Sequence, residues 1–241
     1  MATIPLLAAN DIEFPSCERA LKDPDGLLAA GGDLSIERLL NAYKQGIFPW
    51  YEEGQPILWW SPDPRCVVFT EDYSPSKSLR KLMRKRPYKV TVDTHFKEVM
   101  LACAGPRHYS DGTWITDDIL TAYCRLHHQG YAHSFECWQE DQLVGGLYGV
   151  SLGKVFFGES MFSRADNASK IAFNALVQQC TLLGFPLIDC QVTNSHLLSL
   201  GAVEILRRDF KEILDKLIPE QAPLSEYRGT WKLDDSLTEL F

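Results

Sequence analysis

A mixed α/β (α+β) fold, with a small loop-rich module ahead of one larger domain, is predicted by three features of the 241-residue sequence. Pro, Gly and turn signals crowd roughly the first 60 residues. The run Ser61-Pro62-Asp63-Pro64 disfavours helix and sets a boundary near residue 62. Beyond it, segments of period-two alternation exchange with segments of helical spacing. The division is therefore 1–62 for the small N-terminal domain and 63–241 for the larger one. With 45% hydrophobic and 23% charged residues the chain has enough apolar surface for a sizeable core, which excludes a disordered protein.

In the first module Ser35 is placed to cap a helix carrying Leu39, Leu40 and Tyr43 on one side, and Gly46 stops it. After the boundary come a strand at Cys66–Phe69, a basic helix, and a strand "YKVTV" ending before Asp93. Phe96, Val99, Met100 and Cys103 keep helical spacing up to Gly105-Pro106. Ile119, Ala122, Tyr123 and Leu126 repeat it after Thr116, with Asp117 and Asp118 suiting the positive end of the helix dipole and Gly130 closing it. Three strands with tight turns follow at Tyr131–Trp138, Gln142–Ser151 and Lys154–Phe162, an antiparallel meander. Asn167 then reads as the cap of "ASKIAFNALVQQCTLL", closed by Gly184; a strand "LIDCQV" follows, Asn194 caps "SHLLSL" before Gly201, and "VEI" is a last strand.

No apolar run approaches the roughly 18 to 20 residues that span a bilayer. The start "MATIPLLAANDIEF" lacks both a basic n-region and a small-residue cleavage site. A cytoplasmic protein with no membrane partner is expected. Cys17, Cys66, Cys103, Cys124, Cys137, Cys180 and Cys190 are odd in number, contain no C-x-x-C pair and mostly sit in apolar segments, which suggests reduced core thiols. His127, His128 and His133 lie close together, but adjacent helical histidines share a metal poorly, so no metal is expected.

The net charge of −8 alone disfavours nucleic acid, yet Lys77–Lys89 holds seven basic residues and no acid. The remainder carries 17 basic against 32 acidic residues, or −15. On a helix Lys77, Arg80, Lys81, Arg84 and Lys85 form one continuous stripe, either a solvated face or a phosphate-binding one.

Asp189 raises a sharper question, because it stands inside an apolar strand. Strand alternation puts Leu187, Asp189 and Gln191 on one face and Ile188, Cys190 and Val192 on the other. Burying an unpaired carboxylate costs on the order of several kcal/mol, so either that face lines a cleft or both polar groups have partners. Cys190, pointing away, reads as core rather than as a nucleophile.

Two helices, a three-strand meander, a long helix, a strand, a short helix and a final strand is the element order of an acetyltransferase-like (GNAT) domain, an analogy of fold only. That superfamily places R/Q-x-x-G-x-G/A before the long helix, where backbone N–H groups cradle the pyrophosphate of an acyl-CoA. Here the junction reads "RADNASK", with Arg164 present and Asn167 and Ser169 where the glycines belong. The scaffold suggests acyl transfer, and the lost loop suggests a donor other than CoA.

The segments "GLLAAGGDLSIERLLNAYKQGIFPWY", "PILWWSPDPR", "GTWIT", "LVGGLYGVSLGKVFFGESMFSRADNASK" and "LIDCQVTNSHLLSLGA" together resemble the leucyl/phenylalanyl-tRNA–protein transferase family. They span about Phe14 to Arg208 in order; departures lie mostly in the termini and in Cys103–Asp111. The resemblance implies an aminoacyltransferase that moves Leu or Phe, and Met less efficiently, from aminoacyl-tRNA to the N-terminal Arg or Lys of acceptor proteins, creating an N-end-rule degradation signal. It implies no cofactor and no CoA.

Asp189 and Gln191 match the family's catalytic pair; Asp189 would orient the Gln191 amide, and Gln191 would position the attacking amine. The aminoacyl pocket carried over by motif is Trp50, Trp114, Tyr123, Leu147, Phe156, Ser160 and Ile188. Glu159 would face the aminoacyl ammonium or the acceptor's cationic residue, or else form a structural ion pair. Lys77, Arg80, Lys81, Arg84, Lys85 and Arg86 would hold the tRNA acceptor arm. Two other functions stand beside this one: an acyl-CoA-dependent N-acetyltransferase, opposed by the absent glycines, and a non-catalytic tRNA-binding module, which leaves Asp189 and Gln191 without a role.

Overall fold

A computed structural model describes residues 4–9, 11–105, 113–218 and 231–232. Two sheets organise them. The first is built from β1 (Leu6–Leu7), β2 (Leu27–Gly31), β3 (Phe48–Pro49) and β4 (Leu58–Trp60), in the order β1-β2-β4-β3, with helix α1 (Ile36–Lys44) between β2 and β3. Sequence patterning predicts only loops and one helix for this region. The strands are two to five residues long, too short for alternation to register, and Trp59, fully buried, ties them to the main core.

The larger sheet contains β5 (Arg65–Phe69), β6 (Lys89–Val92), β7 (Ala132–Gln139), β8 (Gln142–Leu152), β9 (Val155–Ser163), β10 (Leu187–Gln191) and β11 (Val203–Ile205), in the order β11-β5-β10-β9-β8-β7-β6. Only β10 and β9 run parallel; the other neighbours are antiparallel. Around it lie α2 (Lys77–Met83), α3 (Phe96–Ala104), α4 (Asp117–His128), α5 (Ala168–Leu183), α6 (Ser195–Ser199) and α7 (Arg207–Leu217). One core packs α1, α3, α4 and α7 with Trp59 against one face; another packs α2, α5 and α6 against the other.

The predicted caps at Ser35, Thr116 and Asn194 each accept a backbone N–H of the helix they begin. Asn167 does not. It adopts a left-handed φ of 62° and makes no side-chain cap, while Ser163 Oγ accepts the Ser169 N–H at 3.2 Å. The start of α5 also packs closely on β8, where a Cβ on Gly145 would lie 2.5 Å from Ala168.

The basic helix is shorter than its charge pattern. Arg84 is its C-cap and Arg86 has φ 49°, as Pro87 forbids another helical residue before it. Only Lys77, Arg80 and Lys81 lie within α2; Arg84, Lys85 and Arg86 continue as a turn, and all six are exposed. Pro106, expected to end α3 with Gly105, lies outside the described residues. The sequence-based elements omit α7, although Phe210, Ile213, Leu214 and Leu217 keep helical spacing; Phe210 and Leu214 are buried and Phe210 packs against Gly46.

Candidate active site

The parallel pairing of β9 and β10 ends at Asp189 opposite Phe157, and at that level both strands bulge. In β9, Tyr148 pairs with Ser160 and Gly149 with Gly158, leaving Glu159 as the extra residue. In β10, Asp189 pairs with Val67 and Gln191 with Cys66, leaving Cys190 extra. A bulge bends its strand and redirects side chains. With the two adjacent strands bulged at one level, they part, and a cavity of about 360 Å³ opens between them. Residues from both sheet faces line it.

Its walls are apolar and its floor is not. Leu147, Phe173, Leu176, Ile188 and Leu197 are among its lining residues, as are Phe48, Trp50 and Trp114, together with Glu159, Ser160, Met161, Cys190, Gln191 and His196. Six of the eight sequence-derived pocket residues are thus present: Trp50, Trp114, Leu147, Glu159, Ser160 and Ile188. Tyr123 and Phe156 are not among the lining residues. Tyr123 is fully buried beneath Glu159 and donates to its Oε2 at 3.1 Å, whereas Phe156 is fully buried with its ring 5.4 Å from that of Trp231. Both therefore stand one layer behind the wall.

The Asp189–Gln191 geometry departs from the alternation argument. Gln191 adopts φ 57°, and because Cys190 and Gln191 together oppose Cys66, the strict period of two is lost there. Asp189 meets the backbone of Gln191 rather than its side-chain amide: Oδ1 accepts the Gln191 N–H at 3.0 Å. The rest of the carboxylate belongs to Arg65, whose Nε and Nη2 donate to Oδ1 and Oδ2 at 2.8 and 2.6 Å. Both partners are essentially inaccessible to solvent. Arg65 also donates to the Gly46 carbonyl at 3.0 Å and lies between the rings of Phe48 and Phe210, 5.0 and 4.7 Å from their centroids. The acid in the strand is therefore satisfied by a bidentate guanidinium, and the pair locks β10, the first sheet's β3 turn and α7 together. Arg65 was legible only as the last letter of "SPDPR"; nothing local to it announces a partner 124 positions away.

Gln191 itself lines the cavity, and its Nε2, buried, has no hydrogen-bond partner among the described residues. An amide donor left in this state is unfavourable by about 1–3 kcal/mol, a cost an incoming acceptor would remove.

Glu159 is held by two phenols. Tyr43 donates to its Oε1 at 2.7 Å and Tyr123 to its Oε2, and the two hydroxyls contact each other. Burial pushes its carboxyl up to about 7, with the two phenol hydrogen bonds and Arg65 acting against the rise and Asp189 adding to it. The alternative of a structural ion pair is not seen among the described residues: the hydrogen-bond partners of Glu159 are phenols, not cations. Tyr43, anticipated only as a core residue of α1, is the missed member of this cluster; a tyrosine whose ring is buried still needs a partner for its hydroxyl, and that was the available signal.

Cys190 lies in the core as expected and also reaches the cavity. It is buried in the core cluster under α5, opposite Cys66 at the β5–β10 bulge. The neighbouring thiols perturb each other, lowering Cys66 and raising Cys190, and burial adds to the Cys190 rise. His196 Nε2 lies 3.3 Å from Met161 Sδ, and burial lowers its imidazole from the usual value. All seven cysteines are free thiols, six buried and Cys124 half-buried.

The chain matches the family model described as "Leucyl/phenylalanyl-tRNA protein transferase" over residues 67–215, and that of the family's N-terminal domain over 32–63. Leucyl/phenylalanyl-tRNA--protein transferase from Cellvibrio japonicus is 60% identical, covering 88% of this chain and 90% of that protein. The protein of that name from Pseudomonas entomophila is 55% identical over 92% of this chain and 98% of its own length. Among solved structures, L-PGS from Bacillus licheniformis is similar at 10% identity and a TM-score of 0.39, covering 85% of this chain and 65% of that one, too remote a likeness to argue from. A relative at this identity over nearly the full length of both chains, together with two adjoining family models, leaves one assignment: the chain belongs to the leucyl/phenylalanyl-tRNA protein transferase family.

Proposed function

We propose that this aminoacyltransferase moves Leu or Phe, and Met less efficiently, from aminoacyl-tRNA to the N-terminal Arg or Lys of acceptor proteins, marking them for degradation, without CoA. The observation that carries the reading is the cavity between β9 and β10, apolar along its walls and polar at its floor through Gln191 and Glu159. A Leu or Phe side chain fits walls of this kind, and because a single methylene discriminates by only about 1–3 kcal/mol, the cavity's shape must exclude the rest.

The donor ester is already activated, and an α-amine with a pKa near 7.7–8.0 is partly neutral at cellular pH. Orientation then supplies much of the rate. In this scheme the buried Arg65–Asp189 pair fixes the backbone of Gln191 through its N–H, and the Gln191 side chain meets substrate: its carbonyl oxygen accepts from the attacking amine or its Nε2 donates to the developing oxyanion. Asp189 is a positioning residue and Gln191 the catalytic one. Glu159 receives the aminoacyl ammonium, whose charge favours the ionised carboxyl. An amide is a poor base, and a tRNA hydroxyl carries the proton away.

We read the larger domain, residues 63–241, as acetyltransferase-like in fold, supported by the meander, the long α5 and the parallel β10 parting from β9. The exclusion of CoA is supported by the start of α5, where Asn167 takes a left-handed turn and Ser163 already occupies the Ser169 N–H. The exposed cations of α2 and its following turn bind the phosphates of the acceptor arm.

The test is a single assay with Leu- or Phe-charged tRNA and an Arg-initiated peptide, wild type beside Gln191→Ala. Transfer by the wild type and its loss in the variant are expected; no transfer by the wild type removes the function, and full transfer by the variant removes the role of Gln191.

A further inference from the structure

We propose that Trp231, C-terminal to α7, sets the depth of the aminoacyl pocket by holding the Phe156 ring against its inner end; the donor-selectivity part rests on the functional reading above. The indole is buried in a nest of rings from separate parts of the fold. It stacks on His133 of β7, with centroids 4.7 Å and planes 17° apart, and meets the Phe156 ring of β9 at 5.4 Å. Phe185, just before β10, and Phe135 of β7 stand edge-on to it at 5.3 and 6.1 Å. The seat is itself fixed. His133 is buried, its Nδ1 is hydrogen-bonded to Asp93 Oδ2 at 2.7 Å, and the other Asp93 oxygen accepts the Ser134 N–H at 2.8 Å.

Sheet register connects this seat to the cavity. His133 pairs with Gly149, and Gly149 with Gly158, so the row across β7, β8 and β9 has no side chain at two of its three positions. Phe156 fills that gap: a Cβ on Gly149 would lie 2.5 and 2.8 Å from Cε1 and Cζ of its ring. The far edge of the ring therefore lies over Gly149. Gly158 lines the cavity, as do Ile188, which pairs with Phe156 across β9 and β10, and Leu147, the next residue of β8 on the face of Gly149. Phe156 is thus flanked by three lining residues while standing behind the wall. None of the four ring partners of Trp231 lines the cavity, so the indole sits on the side of Phe156 away from it and blocks its retreat.

Close-packed rings pass a change in volume on to their neighbours. With the indole gone, Phe156 turns into the space it leaves, and the inner end between Ile188, Gly158 and Leu147 recedes. A Leu side chain then loses its inner contacts, Phe keeps more of its own, and the bulkier Trp is admitted. One methylene in an apolar pocket discriminates by about 10–200-fold, so a small retreat is enough to reorder the donors. Trp231 touches no reacting atom and is a positioning residue.

Leu, Phe and Trp carried on one and the same tRNA body, with an Arg-initiated peptide as acceptor, keep the phosphate contacts constant while the donor side chain varies. In Trp231→Ala the ratio of kcat/KM for Leu over Phe should fall at least about tenfold, and transfer of Trp should appear. Trp231→Phe, which keeps an aromatic ring in the nest, should shift the ratio the same way by about threefold, and it decides the matter if the alanine variant does not fold. In a Phe156→Leu background the substitution at 231 should change the ratio no further, an outcome that a general loss of stability does not produce. Equal losses for Leu and Phe, or shifts that simply add across the two positions, overturn the proposal. If the wild type transfers neither donor, the functional reading fails, and a crystal structure of Trp231→Phe still decides the packing: a Phe156 ring displaced from Gly149 upholds it, and an unmoved ring overturns it.

Discussion

Two charged regions of this molecule treat their charge in opposite ways. Behind the cavity, Arg65 and Asp189 are almost wholly inaccessible and matched in a bidentate pair, with Asp189 also accepting the Gln191 N–H. On α2 and the turn after it, six cations are exposed in a segment with no acid at all. Charge that is buried must be paired, and the pairing then fixes geometry to a fraction of an ångström. Charge that is exposed and unbalanced fixes no geometry; it attracts phosphate and yields to salt. The first suits a catalytic turn, the second a long polyanion gripped without regard to sequence.

The most severe way to break this contrast is Asp189→Ala, which leaves Arg65 as an uncompensated buried cation. Urea denaturation should show a loss of about 3–5 kcal/mol. Replacing both partners, Arg65→Met with Asp189→Leu, should recover most of that stability, since well-packed apolar substitutes are often neutral. Transfer should stay absent in the double variant, because the Gln191 N–H has lost its acceptor. Recovery of transfer would show that the pair serves only the fold.

Next in size is Gln191→Asn, which retains a residue tolerant of left-handed φ and withdraws the amide by one methylene. Transfer kcat should fall by roughly 100-fold, with unfolding free energy within about 0.5 kcal/mol of wild type. A large stability change with unaltered kcat would reverse the contrast.

On the exposed side, Arg84→Glu with Lys85→Glu should weaken tRNA binding at least tenfold at low salt. The slope of log affinity against log salt should become shallower by about 0.7–0.9 for each phosphate that is no longer neutralised. The melting temperature should be nearly unchanged, as neither side chain is buried. A weakening of binding that does not depend on salt would remove the electrostatic assignment.

The last effect is a matter of slope. The folded Glu159 carboxyl titrates at about 7, above its unfolded value near 4.3, so the folded state holds that proton more tightly. Its contribution to stability is complete below the unfolded pKa and is lost as pH rises toward and through about 7. Glu159→Gln should remove that part of the decline, seen as a flatter dependence of unfolding free energy between about pH 4.5 and 7.5 than in wild type. Parallel pH profiles for the two proteins would place the Glu159 proton elsewhere.

Much of this arrangement was legible in advance, unevenly. The meander and the helices packed on the larger sheet, α7 excepted, declared themselves through periodicity and stop signals such as Gly130 and Gly184, both with positive φ. The first sheet was hidden by strands too short for any period. Of the site, the lining positions Trp50, Trp114, Leu147, Glu159, Ser160 and Ile188 came from motif resemblance, not from spacing. Arg65, Tyr43 and the cavity-side position of Cys190 depend on partners distant in sequence or on a bulge, and neither leaves a local signal.

The sequence by itself determined which segments fold, where charge accumulates, and which family the chain resembles, since caps, turn glycines, short-range periodicity and motif blocks are read within a few residues of one another. Tertiary structure alone decided what the buried acid does. One extra residue in each of two neighbouring strands parted them, turned Cys190 and Gln191 to oppose the same residue of β5, and left Asp189 behind to bind Arg65. A strand's period of two holds only while its hydrogen-bond register holds, and register is a property of two strands, not of one.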